Sequence, residues 1–255
     1  MLRFPAILLA MLLALPFNAR SAENVRLWVY HNFPPFITDA VQEQGLSFDL
    51  ARRLSEMSDG AFDFQVEILP RARINRNLKA GDGGLVLWTN PAWFGDAGRT
   101  NYLWSHGIMI DGYALISPSG SPILYQDLEA SPPLQFAAVR GHRYVGIDEL
   151  VERGAVNRVE LPSEASLISF VAAGRANFGI VGRSLANYYA NTSDDLFISG
   201  TPHDSFYRHV LISRSRPQLH QFINAAFKEL IESRDWDAVL QGYGLSDAPV
   251  PETSG

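Results

Sequence analysis

The chain contains no cysteine. This absence excludes disulfide bonds, thiol catalysis, cysteine-ligated zinc and iron–sulfur clusters. Positive charge is also scarce, since 21 Lys and Arg stand against 27 Asp and Glu and the formal net charge is −6. A nucleic-acid backbone is bound by a basic surface, so we expect no nucleic-acid partner.

Several chemistry-bearing motifs are missing as well. The sequence has no Gly-x-Gly-x-x-Gly or phosphate-loop motif, no Gly-x-Ser-x-Gly elbow and no His-Glu-x-x-His spacing. His203, Asp204 and Ser205 are consecutive, and consecutive residues rarely give the geometry of a catalytic triad. We therefore predict no catalytic residues, no metal and no cofactor.

The N-terminus has the three parts of a secretory signal peptide. Arg3 supplies the positive charge, residues 6–15 form an apolar run, and small and polar residues continue to Ala22. The apolar run is too short to span a bilayer as a helix, which needs about 20 residues. We predict a cleavable signal peptide over residues 1–22, with an uncleaved anchor or a buried helix as the alternative.

Hydrophobic patterning predicts strands that alternate with helices. Residues 62–68 alternate between apolar and polar side chains, as a half-buried strand does. The predicted strands are 25–30, 62–68, 85–88, 136–139, 156–161 and 178–181. The predicted helices are 45–58, 71–80, 147–153, 163–174, 184–190 and 215–231. This alternation is typical of parallel sheets covered by helices.

The two halves of the chain are joined by two extended runs, at residues 112–117 and 208–213. Both runs are apolar and strand-like rather than rich in Gly and Ser. Two ordered crossings favour a hinge between two α/β units, whereas one flexible tether would be only a linker.

Six segments carry a resemblance to a known family. In chain order they are Phe33-Pro34-Pro35-Phe36, Gly45 to Ala51, Leu78 to Gly83, Trp104-Ser105, Val139 to Tyr144 and Ala173 to Phe178. The chain resembles the bacterial extracellular solute-binding proteins of family 3, the periplasmic receptors that feed polar amino acids to ABC importers. The resemblance covers nearly all of the chain after the signal peptide.

The resemblance implies an α/β, two-lobed periplasmic binding protein-like fold of type II, with two crossover strands at the hinge. We predict that lobe I comprises residues 23–113 and 214–248, and that lobe II comprises residues 114–213. Residues 249–255 are expected to form a loose tail. Ligands of such a fold bind between the lobes, where strand ends and helix N-termini meet.

Two charged anchors of the family's amino-acid receptors are missing from the sequence. Those receptors hold the ligand carboxylate with an Arg and its ammonium with an Asp, at the positions of Phe94 and Gly182 here. A buried ligand charge without a partner would cost several kcal/mol. We therefore predict a ligand other than a standard α-amino acid, with Arg71, Arg99 or Arg183 as substitute charge anchors.

The candidate ligand-binding residues are aromatic and polar side chains near predicted strand ends. They are Phe33, Phe36, Trp88, Thr89, Asn90, Trp93, His142, Arg143 and Tyr144. For Phe33 and Phe36 a place in the core is the alternative, and for Trp93 a place on the surface of a lobe.

Taken together, the resemblance implies a periplasmic solute-binding protein that captures a small polar molecule for delivery to an ABC importer. Its expected partners are the small-molecule ligand and a transporter permease, and the chain is expected to be a monomer without enzymatic activity. Two alternatives stay open: a ligand-sensing module for a membrane receptor, and a periplasmic, dehydratase-like enzyme on the same fold.

Overall fold

A computed structural model describes residues 21–129 and 132–245. Residues 1–20 of the predicted signal peptide and the predicted tail lie outside these ranges. The described strands are β1 (Glu23–Val29), β2 (Phe62–Ile68), β3 (Leu85–Thr89), β4 (Leu103–Trp104), β5 (Met109–Pro118), β6 (Leu134–Val139), β7 (Val156–Leu161), β8 (Phe178–Gly182) and β9 (Leu196–Ile212). The described α-helices are α1 (Leu46–Met57), α2 (Arg71–Lys79), α3 (Asp148–Glu152), α4 (Glu164–Ala172), α5 (Arg183–Ala190), α6 (Pro217–Glu232) and α7 (Asp235–Gly242).

The period of the apolar residues explains the type of each element. In α1 the buried residues Leu46, Leu50 and Leu54 recur every four positions and form one face of the helix. In β2 the buried Phe64 follows the exposed Asp63, so successive side chains point to opposite faces of the sheet. The alternation predicted from sequence is confirmed in both halves of the chain.

The strands form two parallel groups bridged by two long antiparallel strands. The hydrogen-bonded order is β2-β1-β3-β9-β5-β8-β6-β7, and β4 pairs with β9. β1 runs parallel to β2 and β3, and β6 runs parallel to β7 and β8. β5 and β9 are antiparallel to each other and to their outer neighbours. β5 and β9 therefore join the two parallel groups, and we call the group on each side a sheet.

Each sheet has its own hydrophobic core. Leu27 and Leu50 pack with Phe227 of α6 and Trp236 of α7. We call lobe I the elements β1–β4, α1, α2, α6 and α7 with the C-terminal end of β9. Lobe II comprises β6–β8, α3–α5 and the other ends of β5 and β9, with cores beneath both faces of its sheet. The predicted two-lobed α/β fold is confirmed, and the predicted boundaries within β5 and after β9 stay predictions.

The lobes are joined where β5 and β9 pair with each other. Residues 109–113 of β5 pair with residues 204–208 of β9. The strands approach so closely that a Cβ on Gly112 would lie 2.0 Å from the carbonyl oxygen of Asp204. A glycine without Cβ permits this approach. Both predicted crossing runs fall within or against these strands, although β9 is much longer than predicted, at 17 residues.

Within residues 21–129 and 132–245, no helix combines the length and apolar character that crossing a membrane requires.

Candidate functional site

A cavity of about 320 Å³ lies between the lobes, beside the crossing strands. Lobe I contributes Tyr30, His31, Phe33, Arg71 and Trp93. Lobe II contributes Glu164, Gly182 and Ser184, and the crossing strands contribute Gly112, Tyr113, Phe206 and Arg208. Small-molecule sites span about 300–1,000 Å³, so the cavity suits a small ligand.

The lobe I wall consists mainly of rings carried by the segments that follow β1 and β3. The ring centroids of Tyr30 and His31 are 4.0 Å apart, and Phe33 meets His31 edge-on at 5.7 Å. Trp93 makes a further edge-on contact with Phe206, at 4.9 Å. These contacts hold the rings at the strand ends, where they offer a ligand apolar contact area.

Arg71, the first residue of α2, brings a positive charge to this wall. Its guanidinium carbon lies 3.6 Å from the centroid of the Phe94 ring. Nε donates to Asn75 Oδ1 at 3.1 Å, and Nη2 donates to the carbonyl oxygen of Trp93. Both acceptors are neutral, and Arg71 forms no ion pair with any residue in the described ranges. Its charge is therefore available to an anionic group in the cavity.

The lobe II wall is built at the first turns of α4 and α5. Ser163 caps α4, and Glu164 follows as its first residue. Glu164 Oε1 accepts a hydrogen bond from the Gly182 N–H at 2.9 Å. Burial raises the pKa of the Glu164 carboxyl, and the Gly182 N–H and the charge of His142 partly oppose that rise. The wall thus presents one carboxylate whose ionisation is disfavoured by burial.

A buried ion pair between the two crossing strands forms the floor of the cavity. Arg208 of β9 and Asp111 of β5 are 5% and 2% exposed. Nε and Nη2 of Arg208 lie 2.9 and 2.6 Å from Asp111 Oδ2. Nη1 donates to the carbonyl oxygen of Trp88 at 2.6 Å and to His31 Nε2 at 2.9 Å. The guanidinium is therefore occupied by protein groups, although it faces the cavity.

The same ion pair ties the crossing strands to lobe II. Asp111 Oδ1 accepts from the Ser184 N–H at 3.0 Å, and Oδ2 accepts from the Ser184 hydroxyl at 3.0 Å. Because Arg208 also bonds lobe I through Trp88, one buried network reaches both lobes. Paired and hydrogen-bonded charges are the form in which burial is tolerated.

The Arg208 contact also fixes the proton of His31. Arginine only donates, so His31 Nε2 must accept and the ring proton must sit on Nδ1. Burial, followed by the charges of Arg208 and Arg71, lowers the pKa of His31, which keeps the ring neutral. Nδ1 is buried and has no hydrogen-bond partner in the structure.

Three sequence-predicted residues, Phe33, Trp93 and the substitute anchor Arg71, line the cavity. Phe36 and Trp88 do not, since they are 0% and 1% exposed in the lobe I core. Trp88 has a positive φ of 59° and donates from Nε1 to Ser47 Oγ at 2.8 Å. This backbone turn directs the indole into the core rather than toward the opposite lobe.

The two residues after Trp88 also have local roles. Thr89 is fully buried, and its hydroxyl has no partner in the structure. Asn90 Oδ1 accepts from the Ala92 N–H, and its Nδ2 donates to the carbonyl oxygen of Tyr207 at 3.2 Å. Neither residue lines the cavity, so their predicted ligand contacts have no support from its geometry.

His142, Arg143 and Tyr144 line a different depression of about 650 Å³ in lobe II. His203 and Asp204 also line it, and Tyr113 lines both this depression and the cavity. Since ligand contact at this turn is not tested by the structure, it stays a prediction.

The other two substitute anchors lie elsewhere. Arg99 is an exposed residue in the turn after β3. Arg183 lines a small depression with Met109, Asn187 and Leu245 on another face of the hinge. Of the three proposed anchors, the structure brings only Arg71 into the cavity.

Several lining residues were not singled out from the sequence, notably Tyr30, His31, Glu164, Phe206 and Arg208. Glu164 follows a helix cap, where acidic residues are common for local electrostatic reasons. A usable signal did exist for Asp111 and Arg208, because an ionisable residue in or beside an apolar strand is seldom buried unpaired. Asp111 and Arg208 carry opposite charges in or beside the two runs that were predicted to cross between the halves of the chain. An ion pair between them could therefore have been predicted.

Within the described part of the chain, no group of three or more His, Asp or Glu residues is arranged to hold a metal ion.

No family model and no curated protein sequence matches the chain. Solved structures do match it in fold. An ancestral cationic amino acid solute-binding protein has 16% identity and a TM-score of 0.69, covering 86% of this chain and 95% of that one. The L-cystine solute receptor of Neisseria gonorrhoeae, in an unliganded open conformation, has 15% identity and a TM-score of 0.68, with 89% and 95% covered. A histidine kinase sensor domain has 16% identity and a TM-score of 0.61, with 90% and 99% covered.

A second structure of the ancestral protein is described as a precursor of cyclohexadienyl dehydratase, and it matches with a TM-score of 0.58 at 16% identity, with 86% and 94% covered. At these identities the similarity shows the fold. The two-lobed architecture of periplasmic binding proteins, expected from the sequence resemblance, is confirmed.

Proposed function

We propose that this chain is an exported solute-binding protein that captures a small polar molecule between its lobes for delivery to an ABC importer. The observation that carries the proposal is the cavity itself, because both lobes and the crossing strands line it. A ligand that touches both lobes binds the closed arrangement better than the open one, and so shifts the balance toward closure. We propose that the importer recognises this closed form.

The chemistry of the lining supports a polar ligand. Arg71 and Glu164 bring opposite charges to opposite walls, and rings of Tyr30, Phe33 and Trp93 supply apolar area. The solute-binding protein and the solute receptor that share the fold support solute capture as the use of such a cavity. The periplasmic location rests on the predicted signal peptide.

A thermal-shift screen tests the proposal. The purified protein is heated with amino acids, polyamines, organic acids and small aromatics, each in separate wells. A ligand at 100 times its Kd adds about 2.7 kcal/mol of stability. We expect at least one compound to raise the Tm and to reduce the radius of gyration in solution scattering. If no compound in the screen binds, the proposal is wrong.

Two alternatives on the same fold are distinguished by the fate of the bound ligand and by the protein that receives it. The matched sensor domain supports a receptor partner in place of a permease, and the dehydratase precursor supports turnover. Mass spectrometry of the recovered compound is expected to show it unchanged, whereas conversion would favour the enzyme. Cross-linking of the loaded protein in cells is expected to capture a permease, whereas capture of a membrane kinase would favour the sensor.

A further inference from the structure

The hinge contains a hydrogen bond that only one charge state of a histidine can make. His31, which follows β1 in lobe I, accepts at Nε2 from Arg208 Nη1 of β9 at 2.9 Å. Arginine has no acceptor and stays charged in proteins, so the contact requires an Nε2 without a proton. Protonation of His31 would place two cations at this distance. The contact and the charged imidazolium therefore exclude each other.

The groups around His31 disfavour a charged ring. The side chain is 7% exposed, and Nδ1 has no hydrogen-bond partner among the residues that the structure describes. Two cations act on the ring, Arg208 of β9 and Arg71 of α2, and the centroid of the neutral Tyr30 ring lies 4.0 Å from it. Asp111 of β5 bonds Arg208 through Nε and Nη2, whereas His31 contacts Nη1. The carboxylate thus pairs with the arginine and not with the histidine.

The His31 contact belongs to the network that reaches both lobes. Nη1 of Arg208 also donates to the carbonyl oxygen of Trp88 in lobe I at 2.6 Å. In the other direction, Arg208 bonds Asp111, which accepts from the N–H and the hydroxyl of Ser184 in lobe II. A cation at His31 would repel the guanidinium at the same atom that bonds lobe I. The lobe I contacts of Arg208 are therefore the part of the network that a proton breaks.

We propose that His31 is a proton-sensitive latch of the hinge. With the ring neutral, Arg208 is held to both lobes at once, and the observed arrangement of the lobes is favoured. With the ring protonated, the Nη1 contact is lost and the lobes rotate more freely about β5 and β9. His31 is thus a positioning residue that acts on the lobes through Arg208. The inference goes beyond the proposed function, because it concerns the protein without ligand and holds for any solute.

The direction of the pH response follows from the surroundings of His31. Burial and the charges of Arg208 and Arg71 lower the pKa of the latched ring well below 6.5, while a released ring titrates nearer its ordinary value. The latch is therefore fully effective above about pH 6.5. Below that value it weakens by up to about tenfold per pH unit, until the latched ring itself takes up the proton.

A second titratable group at the cavity could produce an acid response by another route. Burial raises the pKa of Glu164 in lobe II, so this carboxyl gains its proton as the pH falls toward the acid range. Its hydrogen bond with the Gly182 N–H lies within lobe II and does not involve the crossing strands. The experiment must therefore separate Glu164 from His31.

The test measures the distance between the lobes as a function of pH, without ligand. The chain has no cysteine, so Val41→Cys and Val145→Cys provide two unique sites for spin labels. Val41 lies between β1 and α1 of lobe I, Val145 lies between β6 and α3 of lobe II, and they are 88% and 81% exposed. Double electron–electron resonance then gives the distance distribution. Between about pH 7.5 and about pH 5, we expect the fraction of molecules outside the neutral-pH distribution to rise roughly tenfold.

Three variants of the labelled protein assign the response to a residue. His31→Gln cannot titrate but keeps an amide oxygen that can accept from Arg208, so it is expected to abolish the response. His106→Gln replaces a half-buried histidine before β5 and is the matched control, which should keep the full response. Glu164→Gln should also keep it, whereas it would abolish a response caused by Glu164.

NMR of the ring nitrogens of His31 in the wild type keeps the test decisive if His31→Gln fails to fold. Near pH 7.5 it should show one proton, on Nδ1, and the second proton should bind over the pH range in which the distances change. The inference is overturned if the wild-type distances do not change, if the response survives in His31→Gln or is lost in Glu164→Gln, or if His31 titrates outside that range. Acid unfolding shared by the wild type and His31→Gln also overturns it. Solute capture is judged separately, by the ligand screen.

Discussion

The two walls of the cavity differ in how they are built and in what they offer. The lobe I wall is made of rings at the ends of parallel strands, together with Arg71, which has no ion-pair partner among the residues that the structure describes. Between the first turns of α4 and α5, the lobe II wall presents Glu164, Gly182 and the hydroxyl of Ser184. A ligand on lobe I alone would gain contact area but would make no contact with Glu164.

The difference suggests a division of tasks between the lobes. The rings of lobe I contact neighbouring rings, whereas Glu164 of lobe II is a half-buried carboxylate whose ionisation burial disfavours. Under the proposed function, we expect lobe I to receive the ligand and lobe II to contact it on closure. The crossing strands must transmit this coupling, because the Arg208–Asp111 network is bonded to both lobes.

The largest expected effect comes from breaking that network with Asp111→Ala. The change leaves Arg208 buried without its carboxylate and removes the acceptor of Ser184. Removing one partner of a buried pair costs about 3–5 kcal/mol. Urea denaturation should show this loss of unfolding free energy, and ligand-induced compaction should be lost in scattering.

The double variant Asp111→Leu with Arg208→Met is the control for the pair. It removes both charges, so it should be more stable than Asp111→Ala alone. A loss below about 1 kcal/mol in Asp111→Ala would mean that the pair does not couple the lobes.

Two tryptophans of lobe I separate its core from its cavity wall. Trp88 is buried against Phe36 and Trp236, so Trp88→Ala should cost about 3–5 kcal/mol of stability. Trp93 is only partly buried and lines the cavity, so Trp93→Ala should change stability by less than about 1 kcal/mol. It should instead weaken ligand binding by roughly tenfold. Denaturation would measure the stability of both variants, and calorimetric titration their ligand affinity. A larger stability loss in Trp93→Ala than in Trp88→Ala would contradict the assignment.

The tryptophan pair also shows what could be predicted from the sequence. The spacing of apolar residues predicted which segments are strands and which are helices, and the six ordered segments indicated the two-lobed fold. The sequence also predicted Trp93 and Arg71 as site residues, and both line the cavity. The direction of Trp88 depends on one backbone angle and a shift in the β3–β9 register, which no residue pattern reveals.

Glu164 was not predicted to line the cavity, for a related reason. Its approach to Gly182 joins positions 18 residues apart in sequence, across the ends of α4 and β8. Alignment with a family compares residues at equivalent positions, so a charge supplied from another element is not detected. The loss of the charged anchors at Phe94 and Gly182 stays a prediction, and the alignment behind it did not consider a neighbouring group such as Glu164.

A smaller effect is expected at a buried carboxylate in lobe I, Asp96. Burial alone would raise the pKa of Asp96, but hydrogen bonds from Trp104 Nε1 and from the N–H groups of Asn101, Tyr102 and Thr100 outweigh it and lower the pKa from 3.8 to about 2. The resulting stability is present above pH 3.8 and is lost as the pH falls toward about 2. Asp96→Asn should therefore cost about 2 kcal/mol at neutral pH and less in acid.

The exposed Asp194→Asn in lobe II is the control for Asp96→Asn. It has no hydrogen-bond partner to lose in the described ranges, so it should leave the acid denaturation profile unchanged. An Asp96→Asn penalty that is the same at pH 2 and pH 7 would contradict the assignment.

The smallest expected effect has the opposite sign and lies in lobe II. Burial raises the pKa of Glu164, so the folded protein holds this proton more tightly than the unfolded chain does. The corresponding stability is present below the unfolded pKa and is lost as the pH rises through the folded one. Without ligand, Glu164→Gln should therefore stabilise the protein slightly at pH 8 and not at pH 4, while the exposed Glu149→Gln should do neither. Denaturation of Glu164→Gln and of the wild type at both pH values tests this assignment. A variant that is less stable than the wild type at both pH values would contradict it, because Glu164 would then be a structural group whose loss always destabilises.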